Sequence, residues 1–409
     1  MTQPAASARD TARWVRAILV IFLTMGFGFG TWLSRLPTLR DELGASLVQM
    51  SVYGLSLAAG SLIGLFLAGP LVERQSPRKI MAVAIALQLV LLPVAILLLT
   101  TGALAGGAAT LLLYGFCFSI TDIAMNVSGA AAERVLGKPR MPLLHAGYSI
   151  GVMLATGLGA AAEALRVSLP WHYLIAVALI GAAAFWVLRW VPRDEAALLS
   201  GEDQPLPLAT GPLPLITSKV AAGPTRYSPW RDRRVLLIGL ITLSAGLIEG
   251  APADWLPLAL VDGRGVSNEF GAVMLGLFFG AVVAARLAGS WLLTRFGRVA
   301  VLRASLACAA VGVLIVVLVP GLTGVILGTV LWGLGTGVCW PITISAAADR
   351  PETAARDVAA VSAVGYTSML LGPMAFGFLG EQIGLLQAFW VLPAFALLAL
   401  LLSGITRPR

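Results

Sequence analysis

The stretch SITDIAMNVSG, Ser119 to Gly129, sets an ionisable carboxylate, Asp122, in a run of otherwise uncharged residues. Ser119, Asn126, Gly129 and Glu133 fall on its helical face by three- and four-residue spacing. Asp122 lies eleven residues before Glu133, roughly 16 Å along a helix axis, which is mid-membrane for a span ending near Glu133. Ionising a carboxylate at that depth costs about 3 kcal/mol or more. The neutral acid is favoured there, so the group can hold a proton near neutral pH. That is the chemistry of a proton carrier. The alternative is a carboxyl that only bonds a neighbouring helix.

A second set of chemical groups follows the middle of the chain. SAGLIEGAPADWLPL puts Glu249 near mid-span, with Gly250 and Pro252 expected to loosen the helix just after it. Interrupted helices at the midplane mark binding sites in transporters. Asp254, about a turn further on, lines the same cavity or caps its mouth. Arg286 lies nine residues before Arg295, roughly 13 Å along the axis. It can pair with an acid across a cavity, bind an anionic group, or snorkel to the membrane face. Arg35, at the end of the first apolar run, is interfacial or faces substrate. Trp32, Tyr148, Trp340 and Tyr366, with Asn126 and Ser119, offer rings and polar groups suited to stacking on a sugar or aromatic solute. His145 is a proton relay or an interfacial residue. His172, between Trp171 and Tyr173, belongs to an aromatic belt.

These residues need a scaffold, and the composition indicates which. The chain has 409 residues, 58% hydrophobic and 12% charged, with mean hydropathy +0.89. A soluble domain carries about 25% charged residues. Twelve apolar runs are long enough to span about 30 Å of hydrocarbon, near 14–36, 48–73, 79–101, 105–132, 142–165, 170–192, 234–261, 268–293, 299–319, 322–347, 357–382 and 385–404. Runs of that length must be helices, because a lone strand leaves its backbone unsatisfied in lipid. The expectation is an all-α membrane protein.

The net charge of +8 is a topology signal, not a nucleic-acid surface. Arg35, Arg40, Arg166 and Arg264 fall on one side of the spans and Arg286 within one. The other Lys and Arg residues fall on the side holding both termini, which is therefore cytoplasmic. The first apolar run is too long for a cleaved leader and reads as a permanent helix. The three cysteines lie within spans and imply no disulfide framework. Two histidines on opposite sides, no clustered metal ligands and no P-loop exclude a metal or cofactor site, a membrane-embedded enzyme and an ATP-driven pump.

Residues 193–233, rich in Pro, Gly and charge, read as a cytoplasmic linker between halves 1–192 and 234–409. The halves repeat each other. GPLVERQSPRK, Gly69 to Lys79, parallels GSWLLTRFGRV, Gly289 to Val299. Gly147, Gly159 and Glu163 parallel Gly365, Gly377 and Glu381, and AAAER before residue 135 parallels AAADR before residue 351.

The loop GPLVERQSPRK resembles the cytoplasmic motif G-x-L-x-D-R-x-G-x-R-R/K of the major facilitator superfamily, with Glu73 for Asp and Ser76 for Gly. That resemblance implies twelve helices in two pseudo-symmetric six-helix halves working by alternating access. Gly69 then permits close helix approach. Glu73, Arg74, Arg78 and Lys79, completed by Glu133 and Arg134, form a cytoplasmic charge gate. Thr294 stands in the second copy where Glu73 stands in the first. WLSRLPTLRDELG, DIAMNVSGAAAER, MPLLHAGYSIG and EGAPADW resemble a bacterial branch related to the fucose–proton symporters. Those carry a functional acid in the fourth helix, where Asp122 lies, and another in the first, where this chain has none. The implied function is proton-coupled uptake of a sugar or other small polar metabolite by a monomer in the bacterial inner membrane. Proton-coupled export of drugs or metabolites is the alternative. Exporters typically carry Gly-Pro in the fifth helix, whereas here Gly372-Pro373 lies in the eleventh.

Overall fold

The computed structural model describes residues 8–136, 140–193, 227–350 and 353–408. Most of the expected linker lies outside the described residues, as do the surroundings of Gly69 and the side chains of Glu73 and Arg74. The helices are α1 (Ala8–Ser34), α2 (Leu36–Leu43), α3 (Leu47–Arg74), α4 (Pro77–Thr100), α5 (Leu104–Leu136), α6 (Met141–Ala164), α7 (Leu169–Leu188), α8 (Arg233–Arg264), α9 (Asn268–Phe296), α10 (Arg298–Leu318), α11 (Leu322–Thr336), α12 (Cys339–Ala347), α13 (Ala354–Ile383), α14 (Leu385–Ala388) and α15 (Val391–Leu402). They supply 12 spans long and apolar enough to cross a membrane. The tenth is α11 with α12, and the twelfth is α14 with α15. No strand occurs among the described residues.

The chain gathers into two compact units. One comprises Met1–Thr31, Ser56–Ala155 and Val167–Ser218. The other comprises Trp32–Leu55, Thr156–Arg166 and Lys219–Arg409. Ends of the first, second and fifth spans, with α2, thus pack in the second unit.

Within the first unit, Trp14, Ile18, Phe22, Met81, Ile120 and Met125 belong to one buried cluster. The Trp14 indole donates to Ser128 at 2.9 Å, joining α1 to α5. Lipid supplies no hydrophobic drive between helices, so close backbone approach does the packing. A Cβ on Gly60 would sit 1.8 Å from the Leu112 carbonyl oxygen, and one on Gly151 2.0 Å from that of Leu23.

The second unit shows how prolines are accommodated in spans. Pro252 has no N–H for the Ile248 carbonyl one turn back. The Trp332 indole donates to that oxygen at 2.8 Å instead, and α8 runs unbroken past Gly250, Pro252 and Pro257. The interruption expected in the seventh span is absent because a side chain satisfies the freed group. The interruption lies in the tenth span, between Thr336 and Cys339. There Pro341 cannot donate to Gly337, and Arg286 Nε from α9 reaches that oxygen at 3.3 Å.

Gly60→Ala should therefore lower stability by about 1–3 kcal/mol through overpacking. Gly157→Ala, where an added Cβ meets nothing within 4 Å, should be neutral or gain up to about 1 kcal/mol in helix propensity. Thermal unfolding of the two purified variants checks the contrast.

Candidate functional site

In the first unit Asp122 is half-buried on α5. The Asn126 amide donates to the Asp122 backbone oxygen at 2.8 Å and to its carboxylate at 3.3 Å. Among the described residues Asp122 makes no ion pair. The amide oxygen of buried Asn126 meets no donor there. Ser119 is buried on the same helix face, and its Cβ lies 3.1 Å from where a Cβ on Gly64 would be. Tyr148, on α6, passes its backbone against Gly26 of α1.

In the second unit Glu249 on α8 and Arg286 on α9 form an ion pair, Nη2 to Oε1 at 2.7 Å. Of the three sequence options for Arg286, the structure contains the acid partner. Trp340, at the start of α12, lies 5.7 Å from the Tyr366 ring of α13. Its far ring edge fills the space that side chains would take on Gly246 and Gly365. A separate small pocket brings Trp32, Met50 and Gly54 together with Asp254, Trp255 and Pro373. Asp254 makes no ion pair among the described residues, and the buried Trp255 indole N–H finds no acceptor there.

Beside that pocket lies a polar latch that the sequence did not reveal. Arg40 on α2 holds the Asp262 carboxylate through two nitrogens, Nη2 at 2.7 Å to Oδ1 and Nη1 to Oδ2. Asn268 donates to Asp41 at 3.1 Å. The Leu47 N–H donates to Glu381 at 2.9 Å. Arg35, only 2% exposed, meets Glu163 at 3.1 Å, and the Thr38 hydroxyl donates to the same carboxylate at 2.7 Å. Burial raises the Glu42 carboxyl above its ordinary value, with Arg35 opposing and Glu163 reinforcing the shift.

Among the described residues, Arg78 and Lys79 of the loop motif bond to neutral oxygens. Arg78 donates to the Val191 carbonyl at 3.2 Å and Lys79 to Gln75 at 2.8 Å. Glu133 accepts from the backbone N–H groups of Arg140 and Met141 and so caps α6. One guanidinium nitrogen of Arg134 is buried with no acceptor among the described residues. Among the described residues the second copy, with Thr294 for Glu73, carries the denser cluster. Asp349 joins Arg234 at 2.7 Å and Arg298 at 2.9 Å. Arg350 joins Asp232 at 2.7 Å and Asp357 at 2.8 Å. Burial works against the Asp232 charge, but hydrogen bonds from Arg350 and the Arg234 and Val235 N–H groups hold its carboxyl below the usual range. The repeat offered the signal. Arg298 stands to Gly289 as Arg78 stands to Gly69, and Asp349 holds the place in AAADR that Glu133 holds in AAAER.

The sequence profile of the Major Facilitator Superfamily matches residues 124–367 and 238–409. The chain belongs to the Major Facilitator Superfamily. An uncharacterized transporter of Sinorhizobium fredii, y4wD, is 30% identical to this facilitator over 96% of the chain and 98% of its own length. An uncharacterized MFS-type transporter of Yersinia pestis is 26% identical over 95% of the chain and 92% of its own. The solved nucleoside transporter NupG superposes with TM-score 0.75 at 13% identity, covering 97% of this facilitator and 100% of that chain. At that identity the likeness shows the fold. The protein is a membrane-spanning transporter of this superfamily.

If the Arg40–Asp262 pair keeps the Trp32–Asp254 pocket shut, Asp262→Asn should raise maleimide labelling of Met50→Cys about fivefold in detergent. That is the effect of an exposed pair worth about 1 kcal/mol. Mass spectrometry of the labelled peptide measures it, and an unchanged rate would remove the latch.

Proposed function

We propose that this facilitator is a proton-coupled secondary transporter that imports a sugar or other small polar metabolite, with Asp122 and Glu249 as the proton-handling acids. The single observation that carries the reading is Asp122. It is a carboxyl on a membrane span with an amide for company and no cation paired to it among the described residues. In low dielectric such a group is stable as the neutral acid and becomes an anion when water reaches it, so it loads and unloads with access. Asn126 and Ser119 extend a polar stripe from it along α5. In this reading the halves 1–192 and 234–409 rock about the solute, joined by 193–233. The Arg40–Asp262 latch closes one mouth, and Glu73, Arg74, Arg78 and Lys79, with Glu133 and Arg134, gate the other. The protein works as a monomer in a bacterial inner membrane with both termini cytoplasmic.

Proton movement tests this in lightly buffered vesicles holding the purified protein, challenged with sugars, polyols, carboxylates, amino acids and cationic drugs. Alkalinisation outside the vesicles on adding one solute is expected, reduced at least about tenfold in Asp122→Asn, a typical loss for a proton-transfer group. External acidification on adding a drug would reverse the direction. Wild-type proton movement in Asp122→Asn would remove Asp122 from coupling.

A further inference from the structure

We propose that Arg286 is the residue that binds the substrate, and that the substrate is an organic monocarboxylate which displaces Glu249 from it. This deepens the proton-coupled reading, on which it rests, by naming the charge of the solute.

The pair is built to exchange. The anchors of Arg286 include groups of different kinds, the Glu249 carboxylate at 2.7 Å and the Gly337 carbonyl at 3.3 Å. The second exists because Pro341 leaves that carbonyl without a helical donor. Losing Glu249 therefore leaves the guanidinium in position. The side chains of Arg286 and Glu249 are 30% and 23% exposed, so the pair is not sealed. Trp340, packed one turn before Glu249 against Gly246, keeps a buried indole N–H with no acceptor among the described residues. It is a ready donor for a second carboxylate or hydroxyl oxygen. The Asp349 cluster is a static counterexample in the same unit. There the carboxylate is held by Arg234 and Arg298 together, with carbonyls of Ile405, Thr406 and Arg407 taking further N–H groups.

The charges balance for one anion and one proton. Paired, Arg286 and Glu249 sum to zero. An incoming carboxylate accepts the guanidinium N–H groups that Glu249 gives up, and guanidinium suits a carboxylate fork. Glu249, uncompensated in low dielectric, takes one proton from water and forms an O–H bond. The loaded site is again neutral, and the translocation step moves no net charge. A phosphate monoester, at about −1.5 to −2 near neutral pH, would leave charge that a single guanidinium does not match.

The test is thermal-shift titration of the purified full chain with D-gluconate, D-galacturonate, L-lactate and benzoate, each against a neutral counterpart: D-glucitol, D-galactose, glycerol and benzyl alcohol. At least one carboxylate should stabilise the protein where its counterpart does not. Its apparent affinity should tighten about tenfold per pH unit lowered while Glu249 is ionised, as uptake of one proton requires. Glu249→Gln should bind it more tightly than wild type with no pH dependence, which also shows that the fold survives change at this pair. Arg286→Lys should weaken binding at least about tenfold, since an ammonium cannot present the fork. The proposal is overturned if no carboxylate shifts either wild type or Glu249→Gln, if acid and neutral counterpart bind alike, or if the pH dependence survives in Glu249→Gln. A neutral polyol that drives Asp122-dependent proton movement while carboxylates fail to bind overturns this inference and leaves proton coupling standing. Carboxylate binding with the Glu249-dependent pH slope supports it even where Asp122→Asn moves protons normally.

Discussion

An ionised side chain in hydrocarbon must find a counter-charge, water or a proton, and the cost of finding none, about 3 kcal/mol or more, is a large share of a protein's net stability. That constraint sorts the charges of this transporter. Arg35 is nearly sealed from solvent and sits against Glu163. Arg234 and Arg298 share Asp349. Arg286 meets Glu249 in an unsealed pair. Asp122 and Asp254 have no ion pair among the described residues, which leaves them a proton or water. The paired groups with no adjoining space serve as fixed structure. The unpaired or unsealed ones are the groups whose charge state can change as access changes, and the proposed transport chemistry uses them.

The same constraint applies to the backbone. Each proline in a span strands a carbonyl one turn earlier. At Pro252 an indole takes it, and the helix stays whole. At Pro341 an arginine takes it, and the helix is broken between Thr336 and Cys339. The two solutions lie on neighbouring helices, since Trp332, which repairs α8, belongs to the helix that is broken. Repair of one span and interruption of the other thus hold Glu249 and Arg286 where they meet.

How much of this was legible in the sequence follows from dimensionality. The spans are a one-dimensional property, and hydropathy located all twelve to within a few residues. Family membership was equally readable, because the loop motif and the internal repeat are local patterns. Pairing is three-dimensional. Arg286 faced three readings in the sequence, since nothing local says that an acid 37 positions earlier will reach it. The Arg40–Asp262 latch joins residues 222 apart and had no sequence signal. The interruption was expected at Gly250 and Pro252, whose residue types favour it, but Trp332 outweighed them from another helix. Thr294 stands in the second loop copy where Glu73 stands in the first, and the repeat offset, not the loop's own acid, points to Arg298 and Asp349.

In the proposed mechanism Asp122 is a neutral acid when enclosed and an anion when wetted. Infrared spectroscopy of the protein in lipid reads this directly, through the stretch of a protonated carboxyl group near neutral pH. Such a band is expected in wild type, missing from Asp122→Asn and in its place in Glu249→Gln. A wild-type spectrum with no protonated-carboxyl band, or one unchanged by Asp122→Asn, would rule out a proton on Asp122.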